Sequence, residues 1–162
     1  MDEEKYVDWA ERSGLENLKA HVAAVDTLAK EATGTLMLLL AGVGGALAYA
    51  QRVVDGMAAA QPSAWGAAAV CIWLALWAWA LVRCCMMTGP MPQVYNEPLN
   101  LYKPTLALTL VQVKVHELEN IQSGIRLAVE RNQSTGLWLN RVRLAMAATP
   151  VVFIVAVVAA RF

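Results

Sequence analysis

The chain has 162 residues, 58% of them hydrophobic, and a mean hydropathy of +0.44. A soluble domain of this length is usually nearer half apolar, and here the excess is gathered into blocks, which predicts an integral membrane protein. Thirteen basic and thirteen acidic residues cancel, so no net charge draws the chain to duplex nucleic acid.

The acidic opening MDEEKYVDWAERSG lacks the apolar core of a signal peptide. From there to residue 31 the chain reads as a cytoplasmic amphipathic helix. It has no proline, one glycine (Gly14), and a stripe of Leu15, Leu18, Val22, Val25 and Leu28 at 3–4 spacing. No breaker separates this stripe from residues 32–50, a first span of 19 uncharged residues. One long helix from roughly residue 15 to 50 is therefore expected, with Asp26 and Lys30 at i,i+4 spacing near its membrane boundary and Glu31 beside them.

Residues 51–62 read as a short outer loop, and residues 63–82 as a second span of 20 uncharged residues. Trp65 suits the interfacial aromatic belt, and Trp73 and Trp77 share one face deeper in, where indole N–H groups seek partners. Cys84 and Cys85 follow Arg83 at the end of this span. With Cys71 they make an odd set in no zinc spacing, which argues against a disulfide framework. Residues 83–104 hold four of the six prolines and read as a cytoplasmic loop.

Residues 105–143 are expected to form a second cytoplasmic helix. Its stripe is Val111, Val115, Leu118, Ile125 and Val129, interrupted by Gln122. Asn132 to Gly136 either bends this helix or lets it run on to the membrane. Residues 144–160 form a third, shorter span of 17 residues, with Thr149-Pro150 expected to bend it locally. With the N-terminus inside, 11 lysines and arginines lie on the cytoplasmic side and 2 outside, and so the positive-inside rule places the C-terminus outside.

The first span changes character at its midpoint. Residues 35–50 read TLMLLLAGVGGALAYA, leucine-rich and then almost all small. Ala41, Gly42, Gly44, Gly45 and Ala48 fall in small-xxx-small patterns with Ala46, which let helix backbones approach in lipid. Copies of the helix would meet at these residues near the outer leaflet and splay where Leu36 and Leu38 to Leu40 lie. The expected fold is all-α: three transmembrane helices and two cytoplasmic amphipathic helices in a cone-shaped homo-oligomeric bundle, with a tetramer among the candidate sizes.

In that cone Asp26, Lys30 and Glu31 would line the cytoplasmic entrance, as charged rings do at pore mouths. Lys114, Arg126 and Arg131, with His116 beside them, would draw an anionic nucleotide or oligonucleotide signal, or a regulatory protein, to the second cytoplasmic helix. His21 and His116 lack a positioned carboxylate, and His116-Glu117-Leu118-Glu119 lacks the second histidine of a zinc-protease signature. No nucleophile with a base and no carboxylate pair is evident, so neither enzyme activity, cofactor nor metal is expected.

The run GLENLKAHVAAVDTLAKEATGTLMLLLAGVGGALA, residues 14–48, resembles the amphipathic helix and first span of small bacterial transmembrane anti-phage effectors, the Pycsar membrane effectors and SLATT-type proteins. In those groups a helix with D-x-x-A or D-x-K-A leads into a glycine- and alanine-rich span; here Asp26-Thr27-Leu28-Ala29-Lys30 stands in that place. The resemblance covers about a third of the chain, and the third span departs from two-span effectors. It implies an oligomer that disrupts, or conducts through, the inner membrane when infection is sensed. A holin-like protein without a ligand, and a non-conducting membrane scaffold for a cytoplasmic partner, are the other readings the residues allow.

Overall fold

The computed structural model describes residues 3–56, 61–87 and 109–162, and among these all regular structure is helical. Four α-helices follow in chain order: α1 (Glu3–Gly56), α2 (Gln61–Leu81), α3 (Leu110–Ala147) and α4 (Thr149–Ala159). A π-helical turn, Val82–Met86, extends α2 and closes with Met87 N–H donating to the Val82 carbonyl at 2.9 Å. Two stretches, Glu4–Val53 and Pro62–Met86, contain segments long and apolar enough to cross a membrane; α3 and α4 add a third if the bent pair is one span.

The helix bounds correct the expected ones. α1 has 54 residues, about 80 Å of helix at 1.5 Å per residue. It begins well before residue 15 because nothing in its first turns breaks a helix. It also runs six residues past Ala50, so residues 51–56 are helix rather than outer loop; Gln51 to Asp55 contain neither proline nor glycine. Pro62 lies in the first turn of α2, where its missing N–H costs nothing. Residues 83–86 belong to the π-helical turn, not to a loop. Most of the proline-rich segment, and the expected helix start at residues 105–108, fall outside the described residues.

α3 begins where Thr109 and Gln112 cap each other. Gln112 N–H donates to Thr109 Oγ1 at 3.3 Å, and Thr109 N–H donates to Gln112 Oε1 at 2.9 Å. This reciprocal pair satisfies two otherwise orphaned groups. The helix then passes through Asn132 to Gly136 unbroken. It ends at Ala147, and α4 leaves at a bend of 46°.

The described chain divides into two compact units, to which α1 and α3 each contribute. The first contains α1 up to Leu28 and α3 up to Ser134. There the two helices run parallel: Lys114 reaches Asp8, Ile121 meets Gly14, and Asn132 reaches His21. The buried line of α1 is Val7 and Leu18, with the half-buried Glu11, Gly14, His21 and Val25 between and beyond them at heptad spacing. That of α3 is Ile121, Gly124 and Ala128. The expected α3 stripe is thus rotated about a quarter turn from the contact line, and Val115 is exposed. Close approach selects small residues over long ones: a Cβ on Gly14 would lie 3.0 Å from Ile121 Cγ2.

The second unit contains α1 from Ala29, α2 with its π-helical turn, α3 from Thr135, and α4. Glu31 meets Arg143, so α1 and α3 are again parallel. α2 runs antiparallel to the chain that follows it, since Cys85 meets Thr135, Trp73 meets Ala145, and Gly66 meets Phe153 and Val157. Ala32, Leu39, Leu81 and Val142 have no exposed surface. Outside, Met37, Leu38, Leu40, Leu76, Trp79 and Ile154 are more than half exposed. Bulky apolar side chains on the outside suit a lipid surround, where packing replaces the hydrophobic drive.

Candidate functional site

The features that sequence assigns to function lie on three stretches: the glycine-rich half of α1, the charged boundary above it, and the α3 part of the first unit.

On α1 the small residues divide between two faces. Gly42 points inward, where a Cβ would lie 2.7 Å from Leu74 Cδ1; it packs α1 against α2 within one chain. Its near neighbour is thus another helix of the same chain. Ala41, Gly44, Gly45 and Ala48 are exposed, and a Cβ on Gly44 or Gly45 would meet nothing within 4 Å. Spacings of three and four put these four on one outward face, flanked by exposed Leu40 and Leu47.

At the boundary Asp26 and Lys30 are exposed. Glu31 is not an open member of a charged ring, because Arg143 Nη2 donates to its Oε2 at 2.8 Å. The partner lies 112 residues away in sequence, so only the helix register brings the two together. One turn further on, Thr35 is buried and its hydroxyl donates to the Glu31 carbonyl at 2.8 Å. Thr27 and Thr33 make the same i−4 bond, which lets hydroxyls sit on a helix near lipid.

Of the expected anion-attracting set, Lys114 and His116 stand against carboxylates. Lys114 pairs with Asp8 and lies 3.6 Å from Glu11. The hydrogen bond to Asp8, aided by the charges of Asp8 and Glu11 and only partly opposed by desolvation, holds the Lys114 ammonium above the usual lysine range. His116 Nδ1 lies 3.4 Å from Glu119 Oε2, and Arg131 is also partnered. Arg126 is exposed and borders a shallow groove of about 620 Å³, whose apolar wall includes Ala10, Gly14, Leu118 and Ile125. Lys114 is thus a paired charge between α1 and α3, and Arg126 stands at the groove's edge.

Because the Lys114 pKa is raised on folding, its pairing stabilises the fold fully below the ordinary lysine pKa and is lost as pH rises through the folded value. Helicity-monitored unfolding of the wild type should show an extra alkaline loss in that window. Lys114→Met should show less of it; identical alkaline profiles would contradict the pairing.

Asn132 is a feature the sequence reading missed. Its Nδ2 donates to the His21 carbonyl at 2.9 Å, while its Oδ1 is buried without a partner among the described residues. Such an amide at a helix seam fixes register at some cost in stability.

The bend between α3 and α4 is built by side chains. Pro150 has no N–H, so the carbonyl of Met146 loses its helical donor. At the same turn the Ala145 carbonyl accepts from the Trp73 indole N–H at 3.1 Å and from Thr149 Oγ1 at 3.4 Å. Val151 and Val152 N–H both donate to the Ala148 carbonyl. Trp77 packs edge-on to Trp73, with ring centroids 5.7 Å apart. The sequence placed Trp73 and Pro150 but not the Ala145 carbonyl to which the indole donates. Trp73→Phe should cost about 1 kcal/mol, the order of one such bond between membrane helices, in a denaturing-detergent titration followed by circular dichroism. No change would contradict a structural role for the indole N–H.

Among the described residues, no group of three or more His, Cys, Asp or Glu side chains converges as for a metal ion. Cys71, Cys84 and Cys85 are free thiols, and Cys85 Sγ donates weakly to the Thr135 carbonyl at 3.8 Å.

Comparison with known proteins returns no match: no family model, no curated protein and no solved structure is significantly similar to this chain.

Proposed function

We propose that the chain is a multi-pass protein of the bacterial inner membrane whose copies associate through the outward small-residue face of α1 and open a permeability pathway. The N-terminus is cytoplasmic and the C-terminus outside, as the bias of lysine and arginine favours. One observation carries the reading. Ala41, Gly44, Gly45 and Ala48 form an uncovered face of α1, while the other exposed positions between Thr35 and Ala50 are the bulky Met37, Leu38, Leu40, Leu47 and Tyr49. In lipid such a face gains van der Waals contact only against another close backbone. The interior of the second unit is filled by Leu39, Leu81, Leu139 and Val142, so the pathway runs between copies and not through one chain.

The resemblance of residues 14–48 to small anti-phage effectors supplies the biological setting: depolarisation as an abortive response to infection. In that setting the first unit receives the cytoplasmic signal, a nucleotide, an oligonucleotide or a regulatory protein. Its seam is poorly optimised for stability, with Glu11, His21 and Asn132 placed among few large apolar residues. The apolar groove bordered by Arg126 favours a second reading, a non-conducting scaffold that holds a cytoplasmic partner there.

Purified full-length chain reconstituted in vesicles separates the two. A pore releases an entrapped small dye with a steep dependence on protein density, as assembly requires. Vesicles that stay tight at every density would overturn the pore and leave the scaffold.

A further inference from the structure

The second unit has a shallow groove of about 360 Å³, lined by Glu31, Gly34, Thr35 and Leu38 of α1 and by Arg143 and Met146 of α3. Because α1 and α3 run parallel here, its two ends differ in chemistry. Glu31 and Arg143 stand at one end and Leu38 and Met146 at the other. The charged end coincides with the edge of both apolar segments: no charge follows Glu31 up to Ala50, and none follows Arg143 up to Ala160. Gly34 opens the floor, since a Cβ there would meet nothing within 4 Å. The Thr35 hydroxyl is already bound to the Glu31 carbonyl, so it asks for no polar partner in the groove.

The ion pair is about half exposed, 48% for Arg143 and 44% for Glu31. Among the described residues it meets through one guanidinium nitrogen and one carboxylate oxygen. A guanidinium has five N–H donors and a carboxylate two oxygens, so both charges keep capacity toward the groove mouth.

We propose that this groove holds one phospholipid with a zwitterionic, primary-amine headgroup of the phosphatidylethanolamine type. The headgroup phosphate sits on Arg143, its ammonium on Glu31, and an acyl chain runs over Gly34 toward Leu38 and Met146. The carboxylate decides the headgroup. An arginine alone takes any phosphate, but a carboxylate 2.8 Å from it repels a net-negative headgroup. An anionic lipid on Arg143 would also place a second, uncompensated negative charge beside Glu31 at the edge of the lipid phase. A zwitterion matches both charges at once, and a primary ammonium donates hydrogen bonds to the carboxylate that a quaternary one cannot. The inference rests on membrane insertion and not on conduction.

The test uses the full chain purified from vesicles of equal phosphatidylethanolamine and phosphatidylglycerol, with co-purifying lipid identified by mass spectrometry. The wild type is expected to retain phosphatidylethanolamine over phosphatidylglycerol. Phosphatidylcholine in place of the ethanolamine lipid should be retained less. Gly34→Phe fills open space, so its helicity should match the wild type while retained lipid falls about tenfold, the equivalent of about 1.4 kcal/mol. Glu31→Gln should keep phospholipid but lose the preference between headgroups. Equal retention by Gly34→Phe, or a wild-type preference for phosphatidylglycerol, would overturn the groove assignment. Alkaline carbonate extraction of the same membranes reports insertion separately: release of the wild type would overturn this inference and the membrane reading together.

Discussion

Replacing Gly66 with alanine is expected to destabilise the second unit by about 1–3 kcal/mol, the cost of overpacking a filled contact. Gly66 is buried in α2, where α4 crosses it. A Cβ there would lie 2.6 Å from Val157 Cγ2 and 2.8 Å from Phe153 Cε2. Val157 is β-branched and stiff at χ1, and Phe153 is a rigid ring, so neither yields without moving α4. That helix has 11 residues, too few for independent stability, and begins at a 46° bend. Its position therefore depends on α2. Gly136→Ala, in the interior of α3, provides the control. It enters open space, and alanine is a better helix former than glycine by about 1 kcal/mol. In a denaturing-detergent titration followed by circular dichroism, the two substitutions should move the midpoint in opposite directions. A Gly66→Ala midpoint equal to the wild type would contradict the α2–α4 contact.

The second large effect is expected at Gly45. Gly45 is exposed and a Cβ there meets nothing within 4 Å in one chain, so the fold should tolerate Gly45→Leu. It places a branched side chain in the middle of the Ala41, Gly44, Gly45 and Ala48 face, where a second backbone would otherwise approach. Oligomer size measured in mild detergent should therefore fall toward the monomer, with helicity unchanged. Gly42→Leu should behave differently: its side chain would run into Leu74 and weaken α1–α2 packing in each copy. Equal oligomer size in Gly45→Leu and the wild type would show that copies do not meet at this face.

These two glycines mark the limit of what the sequence could reveal. The apolar blocks, the continuity of α1 and the bend at Pro150 were legible because they are local: an absence of breakers, a run without charge, a missing N–H. Even so, the ends of α1 were misplaced, since hydropathy falls at Ala50 while helix propensity persists to Gly56. The Thr109-x-x-Gln112 cap was readable but lay beside a proline-rich stretch that drew the expected boundary elsewhere.

What depends on register between distant segments was not legible. Glu31 and Arg143 are 112 residues apart, and Glu31 read from sequence as one of three entrance charges with Asp26 and Lys30. The stripe of Val111, Val115, Leu118, Ile125 and Val129 ranked α3 faces by hydrophobicity, whereas the contact line of Ile121, Gly124 and Ala128 was chosen by size. The same distinction separates Gly42 from Gly45. Both are small residues in one motif, and only the position of Leu74 shows that Gly42 is already used within the chain.

The central claim is that copies joined at the outward face of α1 permeabilise the membrane. Membrane potential in cells induced to express the wild type or Gly45→Leu, matched for protein in the membrane fraction, tests it most directly. Depolarisation by the wild type and a retained potential with Gly45→Leu are expected; depolarisation by both alike, or by neither, would contradict permeabilisation through this face.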